Sequence, residues 1–301
     1  MSKVFSSPPS RRALLAAALL PARPAARGKG ADAAGDAFLA PVYRIPSLRL
    51  SAPAQAEFSR LVRGMPWRGY AHPGYLFTLA LPLMQALLVR EGSPLNILAM
   101  RLAAVRVLHD KPIPLREAAP AGKRARGTEI GIEARLREAA PGRARAVASI
   151  LYGGAVAATL VCDFVAVDGH GEDARTAAAT ATAATLRPTG DAVSRWRVPA
   201  GAGRTWSRLS GDVAAGQFAA VGAQLAGFDR AYAPGMLLAS RALSELATDV
   251  SVPYLWSADF SGVLSLPGNL RVAYTRESDH ATAFTSRVMH GRLEFIRAGR
   301  N

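Results

Sequence analysis

A single cysteine, Cys162, stands in 301 residues, which excludes an intramolecular disulfide and any cysteine-based metal site. Histidine is nearly as scarce. His109, His170, His280 and His290 show no ligand spacing with one another or with acids, so no metal centre is expected. Aromatic residues make up 7% of the chain and are not interleaved with the basic ones as a base-stacking platform requires, so nucleic acid is not an expected partner. No apolar run reaches the roughly 20 residues that cross a bilayer as a helix; the nearest, residues 76–89, is interrupted at Thr78, Pro82 and Gln85. Neither a glycine-rich nucleotide loop nor a Gly-x-Ser-x-Gly elbow is present, and no cofactor is implied. Acids are outnumbered, 22 against 37 Lys and Arg, for a formal charge of +15. Such a balance favours anionic partners; an arginine-, alanine- and glycine-rich composition is the equally weighted general explanation.

What is present is enough for a core: half the residues are hydrophobic and a fifth are charged. The length allows one large domain or two ordinary ones. Residues 1–35 carry Lys3, Arg11, Arg12, Arg23, Arg27 and Lys29 with no acid before Asp32. Residues 10–20 have the outline of a twin-arginine export signal, a basic start and a short apolar run. Pro21, Arg23 and Pro24 follow without a cleavage site, so the segment reads as a short helix in a flexible basic arm, and the protein as cytoplasmic.

Residues 36–168 read as a first unit. A strand over 43–50 and a helix over 52–63 lead to His72-Pro73-Gly74-Tyr75, which opens a buried helix through residue 89. Strands follow near 97–108 and 129–136, the latter alternating with period two, and then a hairpin turning at Gly153-Gly154. Lys123-Arg124-Ala125-Arg126 is either a solvated loop or a phosphate contact. Residues 169–190 are an Ala/Thr-rich linker. The second unit, residues 191–301, holds a strand at 196–199 and further strands near 254–264, 270–274, 283–288 and 292–296. His72-Pro73-Gly74-Tyr75-Leu76 and Ala233-Pro234-Gly235-Met236-Leu237 form a weak internal repeat, each opening a buried helix, which points to duplication.

The second unit is organised around residues 204–241. A short helix runs into a tight turn at Ser210-Gly211-Asp212, a second short helix and a Gly-Phe turn follow, and Pro234 then opens a helix. Proline is suited to a helix start, and Met236, Ala239, Leu243 and Leu246 mark one buried face. Folded back, the turn would set the Asp212 carboxylate against free helix-start N–H groups; Asp212 could equally cap the helix that follows it.

Leu209-Ser210-Gly211-Asp212, Ala226-Gly227-Phe228 and Gly235-Met236 appear in the order and spacing of the MaoC-like enoyl-thioester hydratase/dehydratase family, and the chain resembles that family over most of its length. The resemblance implies an α+β double hotdog fold, two antiparallel sheets each wrapped round a central helix. It implies that Asp212 acts as base toward water and that the Gly235 N–H polarises the thioester carbonyl. Ser210, Gly211, Phe228 and Met236 at matched positions, with Pro234 beside them, are implied to line the substrate's place. The chain departs from the pattern where the family has Asn-Pro-x-His: here stand Ala214-Ala215-Gly216-Gln217, and Pro234 replaces the histidine before Gly235. Gln217 can orient a water but has no proton affinity near neutral pH, where imidazole titrates, and one positioned acid/base group is worth roughly 10²–10⁴ in rate. Two functions follow: hydration of trans-2-enoyl thioesters (or the reverse dehydration), and a non-catalytic relative that binds an acyl thioester or supports an active subunit. The implied partners are acyl-CoA or an acyl-carrier-protein thioester, with a homo-oligomer or related hotdog subunit as assembly.

Overall fold

The computed structural model describes residues 2–19, 41–63, 67, 69–90, 97–115, 127–140, 142–166, 192–217, 219–225, 228–246, 252–275, 280–284 and 289–297. The linker at 169–190 and the basic run at 123–126 lie outside them. The first half contains β1 (Ser2–Val4), α1 (Arg11–Leu19), β2 (Val42–Arg49), α2 (Ala52–Val62), α3 (Pro73–Leu88), β3 (Met100–His109), β4 (Glu129–Ala140), β5 (Arg143–Tyr152) and β6 (Ala155–Ala166). The second half contains β7 (Ala192–Val198), α4 (Ala202–Ser210), α5 (Ala220–Leu225), α6 (Gly235–Leu246), β8 (Tyr254–Asp259), β9 (Gly268–Thr275), β10 (His280–Phe284) and β11 (Met289–Arg297).

All the strands join one sheet in the order β1-β2-β4-β5-β6-β3-β8-β11-β10-β9-β7. Read inward from its two ends, leaving β1 aside, the order is 2-4-5-6-3 on one side and 7-9-10-11-8 on the other. Each half therefore sets its first, third, fourth, fifth and second strand side by side. The duplication suggested by the two Pro-Gly helix starts is thus repeated in the strand order. The halves meet where β3 pairs antiparallel with β8, from Ala104↔Asp259 to His109↔Tyr254.

Local chemistry explains the elements. Ile130, Ile132, Ala134 and Leu136 of β4 are buried while Glu129 and Arg135 face outward, the alternation that a sheet with one covered face imposes. The β5–β6 hairpin turns through Gly153 (φ 61°) and Gly154 (φ 80°), two consecutive positive φ angles that only glycine adopts freely and that match the strand twist. Helix α3 is apolar on nearly every side and packs across β2, β4 and β5, as a helix buried all round must be. Helix α6 packs against β10 and β11, with Met236, Ala239, Leu243 and Leu246 buried.

The N-terminus of α3 touches the middle and last turn of α6. A Cβ placed on Gly74 would fall 2.1 Å from Ser240 Oγ, so α3 and α6 approach this closely only through glycine. His72 completes the junction. Its Nδ1 accepts the Gly74 N–H at 2.9 Å, and Nε2 lies 3.0 Å from Ser244 Oγ on α6. With Nδ1 accepting, the ring proton sits on Nε2 and donates to the serine. Burial pushes this imidazole down to about 3, so it is neutral and structural.

One sequence expectation changes here. The flexible arm expected over residues 1–35 is part of the fold through Leu19: β1 pairs in parallel with β2 from Ser2↔Val42, and Leu14 is buried in the core. The three residues of β1 carry no periodicity to read, and what orders them is the open edge of β2. The buried helix expected through residue 89 forms as α3, with Pro82 inside it. Cys162 is fully buried on β6, and burial pushes its thiol up, away from reactivity. Among the described residues no helix is long and apolar enough to cross a membrane.

Candidate active site

Helix α4 is amphipathic: Ala202, Trp206, Ser207 and Ser210 are buried while Arg204 and Arg208 face outward. It stops at Gly211, whose left-handed backbone (φ 68°) lets its N–H close on the Ser207 carbonyl at 3.0 Å, the usual glycine ending of a helix. The chain reverses there, and Asp212 is carried inward to 8% exposure. Ser210 Oγ accepts the Asp212 N–H at 3.2 Å and donates to the Trp206 carbonyl at 2.9 Å, while Ser207 Oγ donates to the Asp212 carbonyl. Ser210 and Gly211 therefore build the turn and do not line the cavity it faces.

The Asp212 carboxylate has two donors, both on Oδ1: the Ala214 N–H at 3.0 Å and Gln85 Nε2 at 2.8 Å. The first is the capping role foreseen for an aspartate before a helix, realised on the short 3₁₀ turn Ala215–Gln217. The second reaches in from α3. Gln85 is thus a polar side chain in a largely apolar helix because it holds the acid of the other half.

Gln217 is buried beside this carboxylate. A Cβ on Gly203 would sit 1.6 Å from the Gln217 carbonyl oxygen, so the 3₁₀ turn lies on α4 only because α4 has a glycine there. Among the described residues the side-chain oxygens of Gln217 and of Gln85 are buried with no hydrogen-bond partner. Unpaired buried acceptors are rare and mark places where water or a ligand belongs. Gly235 opens α6 with its Cα against the Phe260 ring; a Cβ would fall 2.6 Å from that ring. As a first-turn residue its N–H has no partner within its own helix.

These groups line two adjoining spaces. One is a chamber of about 440 Å³ holding Asp212, Gln85, Gln217, Pro234, Gly235 and Met236. The other is an apolar cavity of about 720 Å³, open solvent at its mouth included, running along α6 past Ala239 and Ala242 to Val272 and Leu293. Arg101, Leu102, Gln217 and Gly235 line both. They form the neck between chamber and cavity.

Of the residues predicted from sequence, Asp212, Gln217, Pro234, Gly235 and Met236 come together in the chamber. Phe228 stands behind it, its ring 4.9 Å from that of Tyr232, and Tyr232 in turn lines the apolar cavity. Sequence reasoning missed Gln85, Arg101 and Tyr232. The signal for Gln85 was a polar residue at an inward position of an apolar helix; Arg101 and Tyr232 gave none. Tyr232 is held by its N–H to the Gly216 carbonyl at 3.1 Å. Burial pushes its phenol up, the Asp212 charge pushes it further and Arg101 opposes them, so it is an uncharged donor.

Among the described residues no histidine lines the chamber, and no group of three His, Cys, Asp or Glu is disposed to hold a metal. His109 lies flat on Tyr254, ring centres 4.6 Å apart, and burial pushes it down to about 4. Among the described residues Asp212 is the carboxylate of the chamber, placed beside two unpaired acceptors and a helix start.

No family model matches the chain, and no curated protein sequence does. Solved structures do. HtdX of Mycobacterium tuberculosis superposes with a TM-score of 0.66 at 17% identity, over 84% of this chain and 98% of that one. A MaoC-like dehydratase gives 0.63 at 14% identity, over 87% and 99%, and the MaoC-like dehydratase of Phytophthora capsici gives 0.57 at 13%, over 86% and 96%. The fold is the hotdog fold of MaoC-like dehydratases. An acyl-ACP thioesterase from Bacteroides thetaiotaomicron also superposes, at TM-score 0.52 and 7% identity, so the MaoC-like fold by itself does not fix the reaction. In this hotdog chain the reaction must be read from the neck, the acid and the cavity.

Proposed function

We propose that the protein is an acyl-thioester hydratase/dehydratase built as a double hotdog, adding water to trans-2-enoyl thioesters or removing it from 3-hydroxyacyl thioesters. The observation that carries this reading is the neck: Gly235 and Gln217 line both the chamber of Asp212 and an apolar cavity. A fatty thioester laid through it would put its carrier arm along α6, its carbonyl at the Gly235 N–H, its double bond beside Asp212 and its tail among Phe77, Leu81, Ile97 and Phe164 at the apolar back of the chamber. Water held by Asp212 and the two glutamine oxygens would add to C3. Asp212 takes the proton of that water and returns it to C2, so atoms and charge balance without a cofactor. Gln217 stands where the family has its histidine and orients water without moving a proton. The reaction is therefore slower than with an Asp–His pair.

An acyl-CoA or acyl-carrier-protein thioester would bring phosphate. Arg60, Arg63, Arg197 and Arg241 surround a further space of about 580 Å³, separated from the apolar cavity at Leu238, and this supports an anionic carrier. Because one chain supplies both halves, the site needs no partner subunit; a cytoplasmic setting accords with such substrates. The test is to mix the protein with crotonyl-CoA and longer enoyl-CoA and follow the ultraviolet absorbance of the conjugated thioester. Hydration removes the conjugation and the absorbance falls; a constant signal at every chain length would exclude the enzyme. The replacement at Gln217 favours one second reading, a non-catalytic thioester binder. It predicts thermal stabilisation by acyl-CoA with no change in that absorbance.

A further inference from the structure

Arg101 lies at the start of β3, in the half of the chain that lacks the Ser-Gly-Asp turn, and reaches across the seam. Its Nη1 donates to the Phe260 carbonyl at 2.9 Å. Phe260 is tied back to β3 by its own N–H to the Ala103 carbonyl at 2.8 Å, and its ring is the one pressed against Gly235. Arg101 and the Gly235 amide are thus fixed to the same residue, and both line the neck. Among the described residues no carboxylate forms an ion pair with Arg101, and burial works against its charge. A guanidinium has several N–H donors and no acceptor. Keeping one half-buried without a carboxylate is costly, and the arrangement is accounted for if an electron-rich oxygen arrives with the ligand.

We propose that Arg101 is a catalytic residue of the hydration reaction, the second donor to the thioester oxygen beside the Gly235 N–H. The inference rests on the reading of the site as an enoyl-thioester hydratase. As the oxygen of water bonds to C3, the C2=C3 electron pair shifts to form C1=C2 and the carbonyl pair moves onto oxygen. Asp212 becomes neutral as it accepts the proton, so one negative charge migrates from the chamber to the enolate oxygen at the neck. Asp212 lines the chamber alone, whereas Arg101 and Gly235 line the neck. The guanidinium is therefore nearer the charge after migration than before it, which is the differential stabilisation that lowers a barrier. It offsets part of what the loss of imidazole at position 217 removes. The enolate then takes the proton from Asp212 at C2.

The test uses a conjugated dienoyl-CoA, whose absorption band moves to longer wavelength when its carbonyl is polarised. Bound to the wild-type protein, the band moves to longer wavelength. Arg101→Met binds the same thioester with most of that movement lost, Arg101→Lys recovers part of it, and kcat on crotonyl-CoA falls about 10²–10³-fold in the Arg101→Met variant with KM changed far less, as for removal of an oxyanion donor. An Arg101→Met variant that binds with the wild-type band position overturns the role of Arg101 and leaves the hydratase reading intact. Should the Arg101→Met variant fail to fold, Arg101→Gln against Arg101→Lys carries the same comparison, and equal bands in both overturn it. Absence of any binding to wild-type protein removes the hydratase reading and this inference together.

Discussion

The two central helices start alike and are used differently. His72-Pro73-Gly74 opens α3 and Ala233-Pro234-Gly235 opens α6, yet the amide of Gly74 is taken by the His72 ring at 2.9 Å. In the second half an alanine stands where that histidine would be, and a methyl group cannot accept a hydrogen bond. The helix N-terminus, a ready-made site for electron-rich oxygen, is closed in one half by an imidazole and left open in the other. Gly74 is further sealed by Ser240 while Gly235 faces two cavities. The closed half still contributes to the chamber of the open one, where its Gln85 and Arg101 form part of the lining.

The comparison is broken most directly at Asp212, the acid that only the second half has in its helix-stop turn. Asp212→Asn keeps an oxygen to accept from Ala214 and Gln85, so the fold should survive, while enoyl-thioester hydration should fall about 10²–10⁴-fold. The absorbance assay measures the rate, and an unchanged thermal midpoint shows that the turn still forms. Full activity in the Asn variant would move the chemistry elsewhere. Gln217→His sharpens the contrast in the opposite direction. If the scaffold is otherwise complete, an imidazole at this position should raise the rate about tenfold or more toward that same range, and a flat response would mean that the chamber does not position water.

Alanine at the two equivalent glycines separates the closed helix start from the open one. Gly235→Ala drives a methyl into the Phe260 ring and so disturbs the amide and Arg101 together; a displacement of about 1 Å there should cost about 10²-fold in rate. Gly74→Ala meets Ser240 Oγ and Phe58 instead. It should destabilise the fold by about 1–3 kcal/mol, as overpacking does, in chemical denaturation, with much less effect on the rate of the protein that remains folded. Equal kinetic losses from both would mean the two helix starts do not differ in function.

Much of this was legible in the sequence. The alternation of β4, the Gly153-Gly154 hairpin and the two Pro-Gly helix starts each depend on neighbours within a few residues, and so does the Ser210-Gly211-Asp212 turn. What was not legible depends on contacts between the halves. Gln85 lies 127 residues from Asp212 and reads along the chain only as an interruption of an apolar run. Arg101 reads as one more base in an arginine-rich protein, and nothing local says that β3 will pair with β8 and turn it toward Phe260. His72 reads along the chain only as part of a helix start, and its hold on Ser244 needed both helices in place.

The smallest expected effect concerns that histidine. In the unfolded chain it titrates near 6.5, whereas in the fold it is held neutral down to about 3, and His109 behaves alike, down to about 4. Below 6.5 the unfolded state binds protons that the native state refuses, so the stability these rings contribute is present above that pH. It is lost progressively as pH falls from about 6.5 toward 3 and 4. His72→Asn removes one of the two titrations and retains a side-chain oxygen to cap Gly74, at a cost of about 0.5–2 kcal/mol at neutral pH if the cap is imperfect. Its denaturation midpoint should therefore fall less steeply than that of the wild type between about pH 6.5 and 4, with the two curves converging on the acid side. Parallel curves would mean that His72 is already solvated in the native state, and that the closed helix start differs from the open one in sequence alone.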